Sequence, residues 1–465
     1  MQTPTLHNFQ QDAIEQIRAS VRAGSRRPLL VAPTGAGKTV MFCSITANFH
    51  SAGKTVYILV HRQELITQTS GMLHRYGIPH GIIDPKSQYD PEHLVHVCSV
   101  QTLVRRLKNH KAPDLIIVDE AHHAVAGTWR KILDASTGSL VLGVTATPER
   151  LDGAGLKDVF DDLIRGPEAA DLIQEGFLSK PEYWSHPSMD MTGKRIVMGD
   201  FRVSDLEAAL TKRVIGDAVE TYRAKANKMP AVAFCPTLAK ARAVASDFCA
   251  VGYKFAVIDG TLTREERKTM VDQLADGTLD GLCSCEIISE GFDLPTIGAA
   301  ILLRPTQSVA IHLQQIGRAL RTYPGKQKAV ILDHAGNLRR HGLVEDFRDW
   351  SLEGGVAKKQ IKSTIRECPK CHAVVRISVM ECSECGFDFT AKAKPIIAPV
   401  KGELQQIQAN EQKPLGNPNQ EAARAGSLQE LQAIARKYGY KQGWAWHRWN
   451  ARRQPIESPK FKYAF

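Results

Sequence analysis

No apolar run in this sequence approaches the roughly 18 residues needed to cross a membrane as a helix, so a helical membrane protein is excluded. The amino terminus, Met1-Gln2-Thr3-Pro4-Thr5-Leu6-His7, has neither a basic start nor an apolar core, and no secretory signal is expected of it. A disulfide framework is missing as well. Of ten cysteines, Cys43, Cys98, Cys235, Cys249, Cys283 and Cys285 are scattered, which points to a reducing, cytoplasmic setting. Acidic residues are the minority charge: 49 Asp and Glu face 60 Lys and Arg, a formal excess of +11. Residues 391–465 hold 13 of the basic and 5 of the acidic residues, so the excess is concentrated there. A basic stretch with aromatic residues suits a polyphosphate partner; a solubilising extension is the alternative.

What is present is a nucleotide cradle. Ala32-Pro33-Thr34-Gly35-Ala36-Gly37-Lys38-Thr39 follows the strand-like run Leu29 to Val31, so its backbone amides can wrap phosphate oxygens at the start of the next helix. Lys38 would reach the β- and γ-phosphates, and the Thr39 hydroxyl would take one position on Mg²⁺. A second apolar run, Leu115 to Val118, ends in Asp119-Glu120-Ala121-His122-His123. Asp119 is placed to hold the same metal through water, which leaves Glu120 to orient and deprotonate the attacking water.

At 465 residues, 43% of them apolar and 23% charged, the chain has a globular composition and exceeds one ordinary core. Strand-like runs at Leu29 to Val31, Thr55 to Val60, His96 to Ser99, Leu115 to Val118 and Leu140 to Val144 alternate with helix-like segments. A second series follows at Ala231 to Phe234, Lys254 to Ile258, Gly281 to Cys285, Ala299 to Leu303 and Ala329 to Leu332. Two α/β units with parallel sheets are therefore expected, at residues 1–182 and 228–345, joined by a connector and helical segment at 183–227.

Beyond them, Cys368-Pro369-Lys370-Cys371 and Cys382-Ser383-Glu384-Cys385 form two knuckles that can close a tetrahedral Zn²⁺ site within 364–390. Gly386 supports this reading, because a knuckle turn often needs a residue at positive φ. Four thiolates leave no open position, so the zinc would be structural. Residues 391–426 read as a linker, and 427–465 as a small basic aromatic module opened by the capping pattern Ser427-Leu428-Gln429-Glu430. In it Trp444, Trp446 and Trp449 lie among Lys441, His447, Arg448, Arg452 and Arg453. They are either a base-stacking surface or the core of a very small fold.

The second unit carries Gln314-Gln315-Ile316-Gly317-Arg318-Ala319-Leu320-Arg321, whose arginines would share one face of a helix. Two guanidinium groups aimed at a γ-phosphate held by another domain would stabilise the transferring group, an effect of ~10³ to 10⁵ in related hydrolyses.

With these residues in place the chain resembles superfamily 2 helicases and translocases of DEAH-box type, over residues 6 to about 340. The resemblance implies two tandem RecA-like P-loop domains, ATP and Mg²⁺. It makes Gln10, in Asn8-Phe9-Gln10-Gln11, the adenine-reading glutamine, and it places His61 and Arg62 in motif Ia and Gln101 and Thr102 in motif Ib, on the nucleic-acid backbone. Thr145-Ala146-Thr147-Pro148 resembles the motif that couples ATP state to strand contacts, with His122 and Gln314 as further coupling residues. Thr237, in Cys235-Pro236-Thr237, resembles motif IV, and Asp293, in Glu290-Gly291-Phe292-Asp293, a motif V contact to ribose or the partner domain. Those details, with the cysteine knuckles, are most similar to RadD-type bacterial or phage DNA helicases. Such membership implies a monomer acting sequence-nonspecifically on single-stranded or branched DNA in repair, recombination or replication, beside single-strand-binding or recombination proteins. An ATP-switched remodelling or annealing factor, and an RNA helicase, are the alternatives.

Overall fold

Apolar runs without polar alternation need cover on both faces, and here they receive it. A computed structural model describes residues 4–389 apart from 88, 151–152, 186–190, 192, 198, 286–293, 355–364, 369 and 371–373, and beyond them 425, 427–438 and 443–451. In the first lobe the strands are β1 (Pro28–Val31), β2 (Val56–Val60), β3 (Gly81–Ile83), β4 (Val95–Ser99), β5 (Leu115–Asp119), β6 (Leu140–Thr145) and β7 (Asp162–Arg165). They pair in parallel in the order β3-β4-β2-β5-β6-β1-β7. β6 thus lies between the strand that precedes the cradle and the strand that ends in Asp119. The register sets Thr145 beside Val31, and Val144 beside Asp119.

The second lobe has β8 (Lys180–Ser185), a two-stranded hairpin of β9 (Ile196–Val197) and β10 (Asp200–Phe201), and then β11 (Ala231–Phe234), β12 (Phe255–Ile258), β13 (Gly281–Ser284), β14 (Ala299–Leu302) and β15 (Lys328–Asp333). Its parallel sheet runs β12-β13-β11-β14-β15-β8. The expected boundary at residue 182 therefore falls inside a strand of the second sheet, and the stretch after Tyr183 is not simply a connector. Lys180, Pro181 and Glu182 hide the strand from an apolar count. Pro181 is tolerated because β8 is an edge. The remainder of the 183–227 segment carries the helices Val203–Ala209 and Lys212–Lys225, as its pattern predicts.

The lobes share one apolar core, in which Ala32 and Ala36 pack with Leu178, Ile316, Ala319 and Leu320. An ion pair, Arg267 Nη1 to Glu64 Oε1 at 2.7 Å, adds a second link. A third was not foreseen. After His341 the chain returns to the first lobe, its turn held by the buried Arg348, which donates to the carbonyls of His341, Leu343, Val344 and Asp346. Leu352 O then accepts from Leu156 N (2.8 Å) and Lys157 N (3.0 Å), while Arg165 donates to Asp349 (2.6 Å) and the Trp350 carbonyl (2.9 Å).

Next come β16 (Ile365–Glu367) and β17 (Val374–Arg376), an antiparallel pair beside the cysteine knuckles. Residues from Ala393 onward form a separate unit. Its described part is a helix pair, Leu428–Lys437 and Trp444–Ala451. Ser427 caps the first helix by accepting from Glu430 N at 3.2 Å. Trp444 and Trp449 pack around Leu431, whereas Trp446 is exposed, so the tryptophans divide between the two readings.

Candidate functional site

The cradle is built by steric exclusion. Gly35 (φ +94°) and Gly37 (φ +77°) occupy left-handed backbone, and a Cβ on either would lie 2.6 Å from Leu178 Cδ2 or 2.4 Å from Gln10 Nε2. The helix Lys38–Ser51 starts at once, and the first amides of a helix, which have no intrahelical partner, suit phosphate oxygens. Gln10 braces this arrangement from behind: its Nε2 donates to Ala36 O at 3.1 Å, and its Oε1 accepts from His7 N at 3.0 Å. Lys38 Nζ donates to the Ala32 and Pro33 carbonyls at 3.0 and 3.2 Å.

Asp119 ends β5 almost fully buried, and its Oδ1 accepts from Glu120 N at 3.0 Å. Glu120 has φ +52°, a conformation that costs a non-glycine residue about 1–2 kcal/mol. His122 Nδ1 stands 3.4 Å from Glu120 Oε2 and 3.3 Å from Thr145 Oγ1. That hydroxyl donates to Thr147 O at 2.9 Å and accepts from Thr147 N at 3.2 Å. A polar path therefore runs from Glu120 through His122 and Thr145 to Thr147.

Thr34, Gly35, Gly37, Lys38, Thr39, Asp119 and Glu120 line one side of a cleft of about 560 Å³, and Arg318 and Arg321 line the other. The electrostatics register this meeting. Burial lowers the Lys38 pKa; Glu120 and Asp119 oppose the shift, and Arg321 and Arg318 reinforce it. Burial also raises the Asp119 carboxyl, followed in effect by the adjacent Glu120. A buried carboxylate beside a second one favours a bound cation, which fits Mg²⁺ held by Thr39 and Asp119.

One expected detail is corrected. The helix Val309–Leu320 carries Arg318 but ends before Arg321, which is extended (φ −61°, ψ 139°). The arginines meet at the cleft with Arg321 in extended backbone just past the helix end, not along one helical face. Gln314 is buried within that helix.

The expected nucleic-acid residues follow the carboxyl ends of three parallel strands. His61 and Arg62 come after β2, with the His61 ring centroid 4.6 Å from that of His123. Gln101 and Thr102 come after β4; Gln101 is exposed and Thr102 buried. Thr237 comes after β11 and caps the helix Leu238–Ala250 by accepting from Lys240 N. Asp293 and Cys371 lie outside the described residues.

Phe177 was missed by sequence reasoning. It lines the cleft and packs on His7 (4.5 Å between centroids) and Phe9 (5.0 Å). Only the aromatic and polar mix just before the Gln10 motif could have hinted at it.

Near the chain's second cysteine pair, the sulfurs of Cys368, Cys382 and Cys385 lie within 4.8 Å of one another, the first two buried. Gly386 has φ +67°, and its amide donates to Cys382 O at 2.9 Å, the turn expected of a knuckle. Three converging thiols with a fourth cysteine nearby in sequence fit a thiolate-bound metal such as Zn²⁺.

Residues 3–150 match the family described as type III restriction enzyme, res subunit, and residues 212–323 match the helicase conserved C-terminal domain. A 51.5 kDa protein of a Lactococcus phage is 33% identical over 389 residues, covering 83% of each chain. IRC3 of Saccharomyces cerevisiae, provisionally named an ATP-dependent helicase, is 30% identical over 361 residues, 72% of this chain. The chain spans about half (52%) of that yeast relative. Among solved structures, a fragment provisionally named an HsdR subunit of a type I restriction enzyme from Vibrio vulnificus superposes with a TM-score of 0.60. It is 20% identical and covers 75% of this chain and 68% of its own, a likeness of fold. Among the described residues no helix is long and apolar enough to cross a membrane.

Proposed function

The chain belongs to the superfamily 2 helicases, and from that premise we propose that it hydrolyses ATP between its two lobes to translocate along or unwind DNA. The observation that carries this reading is the placement of Arg318 and Arg321 in the cleft opposite Lys38, Asp119 and Glu120. Thr34 to Thr39 bind the phosphates, with Thr39 and Asp119 as the residues for Mg²⁺. Glu120 takes the proton of the attacking water. The second lobe's arginines neutralise charge that develops as the phosphoryl group leaves, which ties turnover to lobe closure.

The path from Glu120 through His122 to Thr145 and Thr147 couples the reacting water to the end of β6. His61, Arg62, Gln101 and Thr237 hold the strand from loops on both lobes, so alternate closure and opening moves it. Contacts of this kind are sequence-blind and weaken with salt. Cys368, Cys371, Cys382 and Cys385 hold a structural Zn²⁺, and a role in repair, recombination or replication follows from the substrate.

The test is steady-state ATPase with matched DNA and RNA strands, alongside strand displacement on tailed duplexes. Turnover stimulated by DNA, with ATP-dependent displacement, is the expected result. Stimulation by RNA alone overturns the substrate, and hydrolysis without displacement or movement overturns the motor.

A further inference from the structure

The helix that carries Arg318 does not close its own end. An extended arginine follows its last turn where a left-handed glycine would fold the chain back over the terminal carbonyls. Other segments supply the missing donors. Leu320 O accepts from Ser179 N at 2.7 Å, and Arg321 O accepts the Ser179 hydroxyl at 3.2 Å. From the far side, Lys326 Nζ donates to the carbonyls of Ala319, Arg321 and Ile297, each at 2.6 Å. An ammonium has three protons, and these three bonds use them all.

Lys326 reaches this position because Gly325 (φ +82°) turns the chain back beneath the helix, with Lys326 N bonded to Tyr323 O at 3.0 Å. Ala319 and Arg321 bracket the helix end. Ile297 lies two residues after Pro295, which lines the nucleotide cleft. A single side chain therefore ties two cleft-forming segments of the second lobe together, and a cation is in any case favoured at a helix carboxyl terminus.

We propose that Lys326 is a positioning residue for ATP hydrolysis: its ammonium locks the end of the arginine helix to the Pro295–Ile297 segment and so sets where the Arg321 guanidinium stands against the nucleotide. This rests on the ATPase reading of the cleft. Burial pushes the Lys326 ammonium down to about 8, with the Arg321 guanidinium adding to the effect. Below that pH the bond set is complete. Above it a neutral amine brings two protons to three acceptors, and Arg321 loses its anchor.

The experiment is DNA-stimulated ATPase of wild type, Lys326→Met and Lys326→Arg from pH 6.5 to 9.5, with affinity for a fluorescent ADP analogue and thermal melting measured on each. Lys326→Met is expected to lower kcat by about tenfold or more while KM and ADP-analogue affinity stay within about twofold. Wild type should lose turnover through an alkaline limb near pH 8, and Lys326→Arg, which keeps its charge, should move that limb upward. Turnover of Lys326→Met within about twofold of wild type overturns the proposal. So does an unmoved limb in Lys326→Arg. Should Lys326→Met fail to fold, the Lys326→Arg profile decides alone. A wild type that consumes no ATP overturns the ATPase reading together with this one, whereas unaffected variants of an active wild type overturn this one only.

Discussion

Gly317 of the second lobe lies so close to Thr34 of the first that a Cβ on Gly317 would stand 2.7 Å from Thr34 Cβ. The cradle and the arginine helix thus touch with no room for a methyl group, one residue before Arg318. Gly317→Ala should hold the lobes apart, lowering DNA-stimulated kcat by about tenfold while ATP affinity in the first lobe changes little. Comparison of kcat with ADP-analogue affinity checks this; equal loss in both would place the contact in binding instead.

Glu120→Gln keeps the shape of the side chain and removes the base. Turnover should disappear with ATP still bound, and Lys38→Ala should lose both. Arg321→Ala should keep nucleotide affinity and lose DNA-stimulated hydrolysis. Single-turnover phosphate release with parallel binding titrations separates these outcomes, and unchanged turnover in Glu120→Gln would remove Glu120 from its assigned role.

His341 is buried with its Nε2 2.9 Å from Thr306 O, and burial, opposed by that bond and assisted by Arg340 and Arg348, pushes its pKa down to about 4. Its neighbour His312 is pushed well below the usual range by burial as well. The unfolded chain takes up a proton near pH 6.5 that the folded chain refuses. Stability from this group is therefore complete above pH 6.5 and is lost as pH falls toward 4. Between pH 7 and 5 the loss should be about 2 kcal/mol. Urea midpoints of wild type and His341→Gln should show it as an acid slope that the variant flattens.

Gly155 admits the returning segment: a Cβ there would fall 1.9 Å from Leu352 O. Backbone cannot step aside as a side chain can. Gly155→Ala should release residues 349–354 from the first lobe and destabilise the protein by about 2 kcal/mol or more. Thermal melting, with limited proteolysis mapping new cleavage near Trp350, would detect it.

Cys385→Ser and Cys368→Ser each remove one of the three converging thiols. Bound zinc, measured by atomic absorption, should fall well below one equivalent, together with duplex affinity. Full occupancy in either variant would contradict thiolate ligation at this site.

The strands that the sequence revealed are those with covered faces: Leu29 to Val31 and Leu115 to Val118 are uninterrupted apolar runs in a sheet interior. Of the strands in the two large sheets, the three that it concealed are edges. β3, β7 and β8 are only partly buried, and Gly81, Asp162 and Lys180 at their starts interrupt any apolar signal. In the candidate site, the loop from Thr34 to Thr39 and the Asp119-Glu120 pair were legible because phosphate and metal chemistry demands those residue types at fixed local spacing. Phe177 was not, since an aromatic residue carries no mark of what it will face.

By itself the sequence determined the two α/β repeats, the local phosphate loop, the arginine pair and the cysteine knuckles, all of which depend on neighbours a few residues apart. Tertiary structure alone decided that Arg321 leaves its helix, that Ser179 and Lys326 complete that helix's end, that Gly317 meets Thr34, and that Leu352 returns to the first lobe. These contacts join segments tens to hundreds of residues apart in sequence, or turn on how a helix ends. Their acceptors are backbone carbonyls common to every residue, and the Gly317–Thr34 meeting is one of steric fit, so no side-chain pattern announces where the chain will bring them together.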